Sequence, residues 1–152
     1  MGVDGSPSSM AALEWAAQQA ELAGSTLVVV TTWEWPNLGW GLGSPPLPED
    51  YHPATGAQTM LDGALGTVRG AHPVLAIRSA LTEGHPAQVP IDAARGADLL
   101  VVGCRGHGGF SGMLLGSVST HCIAHAHCPV VVIHEHPSNG KEASTGDTGD
   151  RC

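Results

Sequence analysis

Residues 99–119 have the sequence LLVVGCRGHGGFSGMLLGSVS. Its first four residues are apolar, too few for a helix and rich in valine, which predicts a buried strand. Six glycines follow between Gly103 and Gly116, and a helical pattern begins at Ser117. A strand that runs through glycines into a helix lets the backbone approach an anion, because glycine is permissive and the first N–H groups of a helix are unpaired.

The spacing of these glycines is more specific than their number. Two residues separate Gly103 from Gly106, and nine separate Gly106 from the Gly116-Ser117 pair. A phosphate-binding P-loop requires Gly-Lys-Ser/Thr, and the single lysine of this chain is Lys141; the dinucleotide fingerprint G-x-G-x-x-G does not occur here either. The pattern resembles that of the ATP-binding universal stress proteins. GVDGSPSS near the start and CPVVVI near the end extend the resemblance over roughly residues 2–134.

This resemblance implies an α/β fold with an open five-stranded parallel sheet and helices on both faces, Rossmann-like and similar to the adenine nucleotide alpha hydrolases. Members usually carry more apolar residues before the Gly-Val-Asp, so the first strand is expected to be truncated here. The domain is expected to occupy residues 1–134. Residues 135–152 are polar and without periodicity, which predicts a disordered tail.

Local signals place the elements. Ser6-Pro7 predicts a helix start, with Ser6 as the N-cap and Pro7 at the first helical position. Leu13, Ala16 and Ala20 then recur at helical spacing, and a glycine at position 24 ends the pattern. Strands are predicted at 1–4, 26–35, 74–81, 99–102 and 130–134, helices at 55–70, 87–94 and 117–127, and a long Pro- and Gly-rich loop at 36–53.

Composition excludes several classes of protein. The chain of 152 residues suits one domain, and its formal charge of -8, from 14 acidic and 6 basic residues, is opposite to that of a nucleic-acid-binding domain. Its apolar runs are far shorter than the ~20 residues of a membrane helix, and it shows no signal peptide. A soluble cytoplasmic protein is expected, with its four cysteines as free thiols because they form no CxxC pair.

The resemblance also implies a nucleotide site at the carboxyl ends of the strands, with ATP as the ligand and Mg²⁺ able to bridge its phosphates. Val3 and Asp4 end the first strand and are expected to contact the nucleotide, and Thr32 is expected to face the adenine. Asp4 can instead serve only to organise the turn into the first helix. The other expected contacts are Val102 and Gly103 at the adenine and ribose, Arg105 and Gly106 along the phosphates, and the N–H groups and hydroxyls of Gly116, Ser117, Val118 and Ser119.

Catalysis has weaker support than binding. Hydrolysis requires a positioned water and a base, and His107 in the glycine-rich loop is more simply a solvent-exposed loop histidine. We therefore expect no dedicated catalytic residue and at most slow ATP hydrolysis. The function implied by the resemblance is a nucleotide-sensing regulatory module in stress response.

Two alternatives remain open. A metal site is conceivable because His121 and His125 share one helix face, with Cys122, His127 and Cys128 nearby; exposed histidines and buried cysteines are the simpler interpretation. The other alternative is a dimeric interaction module without ligand, against which the intact glycine pattern counts. The resemblance further implies a homodimer in which the edge of the fifth strand, residues 130–134, pairs with its copy, and an exposed apolar edge does require covering.

Overall fold

The computed structural model describes residues 1–35, 51–106 and 114–135. Helices and strands alternate through these ranges, which confirms the α/β class. The elements are α1 (Pro7–Ala23), β1 (Leu27–Trp33), α2 (Pro53–Ala71), β2 (Ile77–Glu83), α3 (Gln88–Ala93), β3 (Leu100–Gly103), α4 (Ser117–His125) and β4 (Val130–Ile133). Most of the predicted loop 36–53, His107, and all of the predicted tail except Glu135 lie outside the described residues.

The strands form two parallel pairs. β1 pairs with β2 from Leu27↔Ile77 to Trp33↔Glu83, and β3 pairs with β4 from Leu100↔Val130 to Gly103↔Ile133. The described ranges therefore contain four strands in two sheets, where the sequence predicts one sheet of five. The predicted strand at 74–81 is shifted, since β2 begins at Ile77.

Residues 1–3 connect the two pairs without forming a strand of their own. The N–H of Val30 donates to the carbonyl of Met1 and the N–H of Val3 to that of Val30, each at 2.9 Å, while the N–H of Gly2 reaches the carbonyl of Val101 at 3.3 Å. This segment makes a single bridge, between Gly2 and Val30, because three residues are too few for a ladder. Beyond it a cavity of about 550 Å³ opens between residues of β1 and β3. A continuous five-stranded sheet stays a prediction.

Helix α1 has the predicted boundaries. The side chain of Ser6 accepts a hydrogen bond from the N–H of Ser9, and Gly24 ends the helix in the left-handed region at φ 62°. Its buried face is built of small residues around Leu13, which is 1% exposed. Small side chains let the helix axis approach the sheet closely, and burial of one leucine contributes roughly 1.5–3 kcal/mol.

Strand β3 is covered on both faces. Val101 belongs to a core formed with α1, α2 and β1, whereas Leu100 and Val102 belong to a second core with Ile91 of α3 and Cys122 of α4. Alternate residues of a strand point to opposite faces, so a strand with two cores is apolar throughout. This explains the unbroken apolar run that precedes the glycines.

Helix α4 is shorter than predicted. It ends at His125, and its buried residues are Ser119 and Cys122, whereas Ile123 is 51% exposed. The inward face passes through Cys122, and the next residue is rotated about 100° away on the helix. In the described ranges, every helix is too short or insufficiently apolar to cross a membrane.

A histidine at the end of α2 joins that helix to α1. His72, at the end of α2 and 8% exposed, places Nδ1 2.6 Å from Oε2 of Glu21 and Nε2 3.2 Å from Oε1 of Glu14. Hydrogen bonds to Glu21 and then Glu14 raise the pKa of His72 above its ordinary value. The protonated imidazolium donates to both carboxylates and holds the two helices together.

We expect the contribution of His72 to stability to depend on pH. Since its pKa is higher in the folded than in the unfolded protein, the stabilisation is fully present below the unfolded value of about 6.5 and is lost as pH rises through the folded value. Denaturant unfolding of the protein and of the His72→Gln variant should therefore differ more at pH 6 than at pH 9. The exposed His134→Gln is the control, and a difference that grows with pH would contradict the ion pairs.

Candidate functional site

The backbone after β3 is attached to the first turn of α1. The Ser8 hydroxyl donates a short hydrogen bond to the carbonyl of Arg105, and the Ser6 hydroxyl lies 3.2 Å from the same oxygen. The N–H of Arg105 in turn approaches Oγ of Ser8 at 3.4 Å. Both serines are buried, so these bonds are shielded from water. These hydrogen bonds fix the position at which the glycine-rich loop begins.

Two glycines of the pattern permit this attachment. A Cβ on Gly103 would lie 2.7 Å from the backbone of Ser8 and of Ser9, and a Cβ on Gly106 would lie 2.5 Å from Oδ2 of Asp4. No side chain fits at such distances without movement of the neighbouring atoms. The sequence predicts these glycines as nucleotide contacts; the structure shows that they also allow β3 and its loop to approach α1.

Asp4 has the turn-organising role that the sequence left open. Its Oδ1 accepts hydrogen bonds from the N–H of Ser6 at 2.9 Å and from the Ser6 hydroxyl at 2.6 Å. Asp4 is nevertheless exposed, at the carboxyl side of residues 1–3. It therefore holds the turn and also lines the cavity described below.

The glycine-rich loop is closed at its base. The N–H of Gly116 donates to the carbonyl of Cys104 at 2.7 Å. The Ser119 hydroxyl lies 3.0 Å from the carbonyls of Cys104 and Gly116 and is buried with them. The Gly116 N–H and the Ser119 hydroxyl proton, predicted as donors to phosphate, are therefore bonded to the protein. They position the start of α4 instead.

Three backbone donors remain at this helix start. The first hydrogen bond of α4 runs from the N–H of Thr120 to the carbonyl of Gly116 at 3.0 Å, and no side chain caps the helix. The preceding N–H groups have no acceptor within the helix and carry the positive end of its dipole. These donors belong to Ser117, Val118 and Ser119.

One cavity of about 850 Å³ collects the predicted residues, a volume typical of small-molecule sites at roughly 300–1,000 Å³. Thr32 lines the cavity, whereas the neighbouring Thr31 is buried and its hydroxyl donates to the carbonyl of Val3 at 3.1 Å. Among the described residues that line it, Arg105 supplies positive charge and Asp4 a carboxylate. All eleven predicted site residues line this cavity: Val3, Asp4, Thr32, Val102, Gly103, Arg105, Gly106, Gly116, Ser117, Val118 and Ser119.

The sequence did not place His121 and His125 in this site, although both line the cavity. Their ring centroids lie 4.3 Å apart, and the ring of His85, from the turn before α3, lies 6.5 Å from that of His121. The spacing of four residues from Ser117 to His121 and on to His125 was the available signal, because it places all three on one helix face. Across the described ranges, no three His, Cys, Asp or Glu side chains are arranged to hold a metal ion.

The cysteines near the site are structural. Cys104, Cys122 and Cys128 are free thiols, as predicted, and Cys152 lies outside the described residues. Burial raises the pKa of the Cys122 thiol, which approaches the carbonyl of Ala87 at 3.9 Å. A raised pKa keeps the thiol protonated and unreactive.

Comparison with known proteins gives the family. The sequence profile of the Universal stress protein family matches residues 1–134. This chain belongs to the universal stress protein family. Universal stress protein Rv2623 of Mycobacterium tuberculosis is 36% identical over 151 residues, which cover 91% of this chain and 48% of that protein. A universal stress protein of Mycolicibacterium smegmatis is 34% identical over 137 residues, which cover 88% of this chain and 44% of that protein. The chain thus spans about half the length of these relatives.

Solved structures of other universal stress proteins share the fold. One in complex with cAMP is 27% identical, with a TM-score of 0.65, covering 90% of this chain and 94% of that one. One from Archaeoglobus fulgidus in complex with dAMP is 25% identical, with a TM-score of 0.57, covering 87% and 93%. UspA from Lactobacillus plantarum, at 20% identity and a TM-score of 0.68 over 87% and 93%, supports the fold alone.

We expect Gly103→Ala to lower the free energy of unfolding by about 1–3 kcal/mol, the usual effect of overpacking. The added Cβ meets backbone atoms of α1, which cannot rotate away as a side chain would. Denaturant unfolding measures the change, and Gly66→Ala on the open surface of α2 is the matched control, expected to stabilise by roughly 0.5–1 kcal/mol. Equal stability of Gly103→Ala and the unchanged protein would show that β3 lies further from α1.

Proposed function

We propose that this chain binds ATP in the cavity between the loop after β3 and the start of α4, as a cytoplasmic, nucleotide-sensing regulatory module in stress response. The observation that carries the proposal is the cluster of three N–H groups, of Ser117, Val118 and Ser119, left without helical acceptors at the edge of a cavity of suitable volume. A helix N-terminus of this kind favours a phosphate.

The phosphates would be held mainly by backbone groups. The dipole of α4 contributes about 0.3–1 kcal/mol at an exposed site, and Arg105, which also lines the cavity, adds a permanent positive charge. Asp4 is the carboxylate that could reach Mg²⁺, since Mg²⁺ prefers oxygen ligands and shares them with phosphates. These groups replace the lysine that a P-loop would supply.

The adenine would lie toward Val3, Thr32 and Val102. Val3 and Val102 are 5% and 3% exposed and offer apolar surface, and Thr32 offers a polar group where β1 ends. The cAMP and dAMP complexes of similar universal stress proteins support an adenine nucleotide. The proposal includes binding and sensing, with at most slow hydrolysis.

A substitution at Gly116 tests the site. A Cβ there would lie 3.4 Å from Cα of Arg105 and 3.8 Å from the N of Gly106, where the glycine-rich loop begins. The φ of Gly116 is -79°, a value that any other residue adopts without strain. We expect calorimetric titration to show micromolar ATP binding, about -8 kcal/mol at 1 μM, weakened at least about tenfold in Gly116→Val. ADP, AMP and cAMP titrations rank the contribution of each phosphate.

The control is Gly66→Val, the same change on the exposed face of α2 with open space around it. It should leave ATP binding unchanged, and thermal unfolding should show that both variants are folded. A folded, unchanged protein that binds none of the four nucleotides at millimolar concentration would refute the proposal and favour a ligand-free interaction module.

We also propose that the protein is a homodimer joined at β4. Val130–Ile133 pairs with β3 along one edge, its residues are half-buried, and its valines and isoleucine would leave an apolar edge at the other side. Sedimentation equilibrium should give twice the mass of the chain, and Val132→Pro should return it to the monomer mass because proline disrupts an edge pairing. A monomer at all concentrations would contradict this arrangement.

A further inference from the structure

Two histidines of α4 stand one helical turn apart beside the proposed phosphate site. His121 and His125 have ring centroids 4.3 Å apart and both line the 850 Å³ cavity. Imidazoles at positions i and i+4 share one helix face, the spacing with which a helical His pair binds Zn²⁺. Among the interactions of the described residues, neither imidazole ring takes part in a hydrogen bond or an ion pair. A metal ion could therefore bind to the pair without breaking such an interaction.

The pair lies on the helix face that begins at Ser117, the first residue of α4. Ser117, His121 and His125 follow one another at four-residue intervals, and a rise of 1.5 Å per residue places His121 about 6 Å along the axis from Ser117. Side chains on a helix tilt toward its N-terminus, so the His121 imidazole leans toward Ser117. A metal ion about 2 Å from a ring nitrogen and about 2 Å from a phosphate oxygen would bridge the remaining distance.

The protein offers two ligands where zinc requires four. Over the described residues no third His, Cys, Asp or Glu converges with this pair, and His85 remains 6.5 Å from His121, edge to face. Two imidazoles alone therefore leave two coordination positions open. Phosphate oxygens are suitable for these positions, and a cavity in which Arg105 is the permanent cation among the described lining residues would gain from a second positive centre.

We propose that His121 and His125 bind a Zn²⁺ ion whose remaining positions are filled by phosphate oxygens of the nucleotide in the same cavity. This inference rests on the proposed nucleotide function and adds a metal preference to it. Imidazole is a good ligand for zinc, whereas Mg²⁺ prefers oxygen, so the pair selects Zn²⁺-nucleotide over Mg²⁺-nucleotide. The metal and the nucleotide should each raise the affinity for the other.

The test compares ATP affinity with each metal. Calorimetry in chelator-treated buffer measures ATP binding to the full chain with no metal, with Mg²⁺ and with Zn²⁺, and a separate titration measures Zn²⁺ alone. We expect ATP to bind at least about tenfold more tightly with Zn²⁺ than with Mg²⁺, and Zn²⁺ alone to bind more weakly than with ATP present. In His121→Gln and His125→Gln, the ratio of the ATP affinity with Zn²⁺ to that with Mg²⁺ should fall to about one.

The matched control is His127→Gln, an exposed histidine just past the end of α4 that does not line the cavity; it should keep the zinc gain. Equal ATP affinity with Zn²⁺ and Mg²⁺, or a zinc gain that survives in the His121→Gln, His125→Gln double variant, would overturn the inference while leaving the nucleotide proposal intact. Failure of ATP to bind with any metal would overturn both.

Discussion

The attachment of the backbone after β3 to the first turn of α1 is the contact on which the site depends. The Ser8 hydroxyl donates to the carbonyl of Arg105, and the absence of a side chain at Gly103 lets the two backbones meet. A carbonyl withdrawn from water without a donor carries a desolvation penalty of roughly 1–3 kcal/mol, which the Ser8 hydroxyl offsets here. The N–H of Gly116 donates to the carbonyl of Cys104, just after β3, and this hydrogen bond fixes the position at which α4 begins.

This contact connects stability with binding. The residues that shape the cavity also bury polar groups and close the loop: Ser119 does so through its hydroxyl, and Asp4 through Ser6. The groups that remain to bind a ligand are mainly the backbone N–H groups at the start of α4. Amides positioned by folding need little reorganisation to meet an anion, which suits a protein of net charge -8 whose cavity contains few cations.

The strand arrangement places these groups together. β3 lies between two cores, so its carboxyl end is held from both faces, and residues 1–3 bring Asp4 to the same edge through hydrogen bonds to β1 and β3. Loops at the carboxyl ends of parallel strands form the usual ligand crevice of open α/β sheets. Universal stress proteins of about twice this length contain a region similar to this chain, of which residues 1–134 match the family profile.

The amino-acid sequence was sufficient for the order of the elements from α1 to β4 and for the Ser6 cap and the Gly24 stop of α1, because these follow from local propensity, hydrophobic period and motif spacing. The resemblance to a known family supplied eleven of the residues that line the cavity. It did not separate donors that face a ligand from donors consumed by the fold, such as the Gly116 N–H. Nor did it place His121 and His125 in the cavity, or show that residues 1–3 bridge two sheets instead of forming a strand. Those outcomes depend on which distant backbone atoms come within hydrogen-bond distance, and only packing of the whole chain determines that.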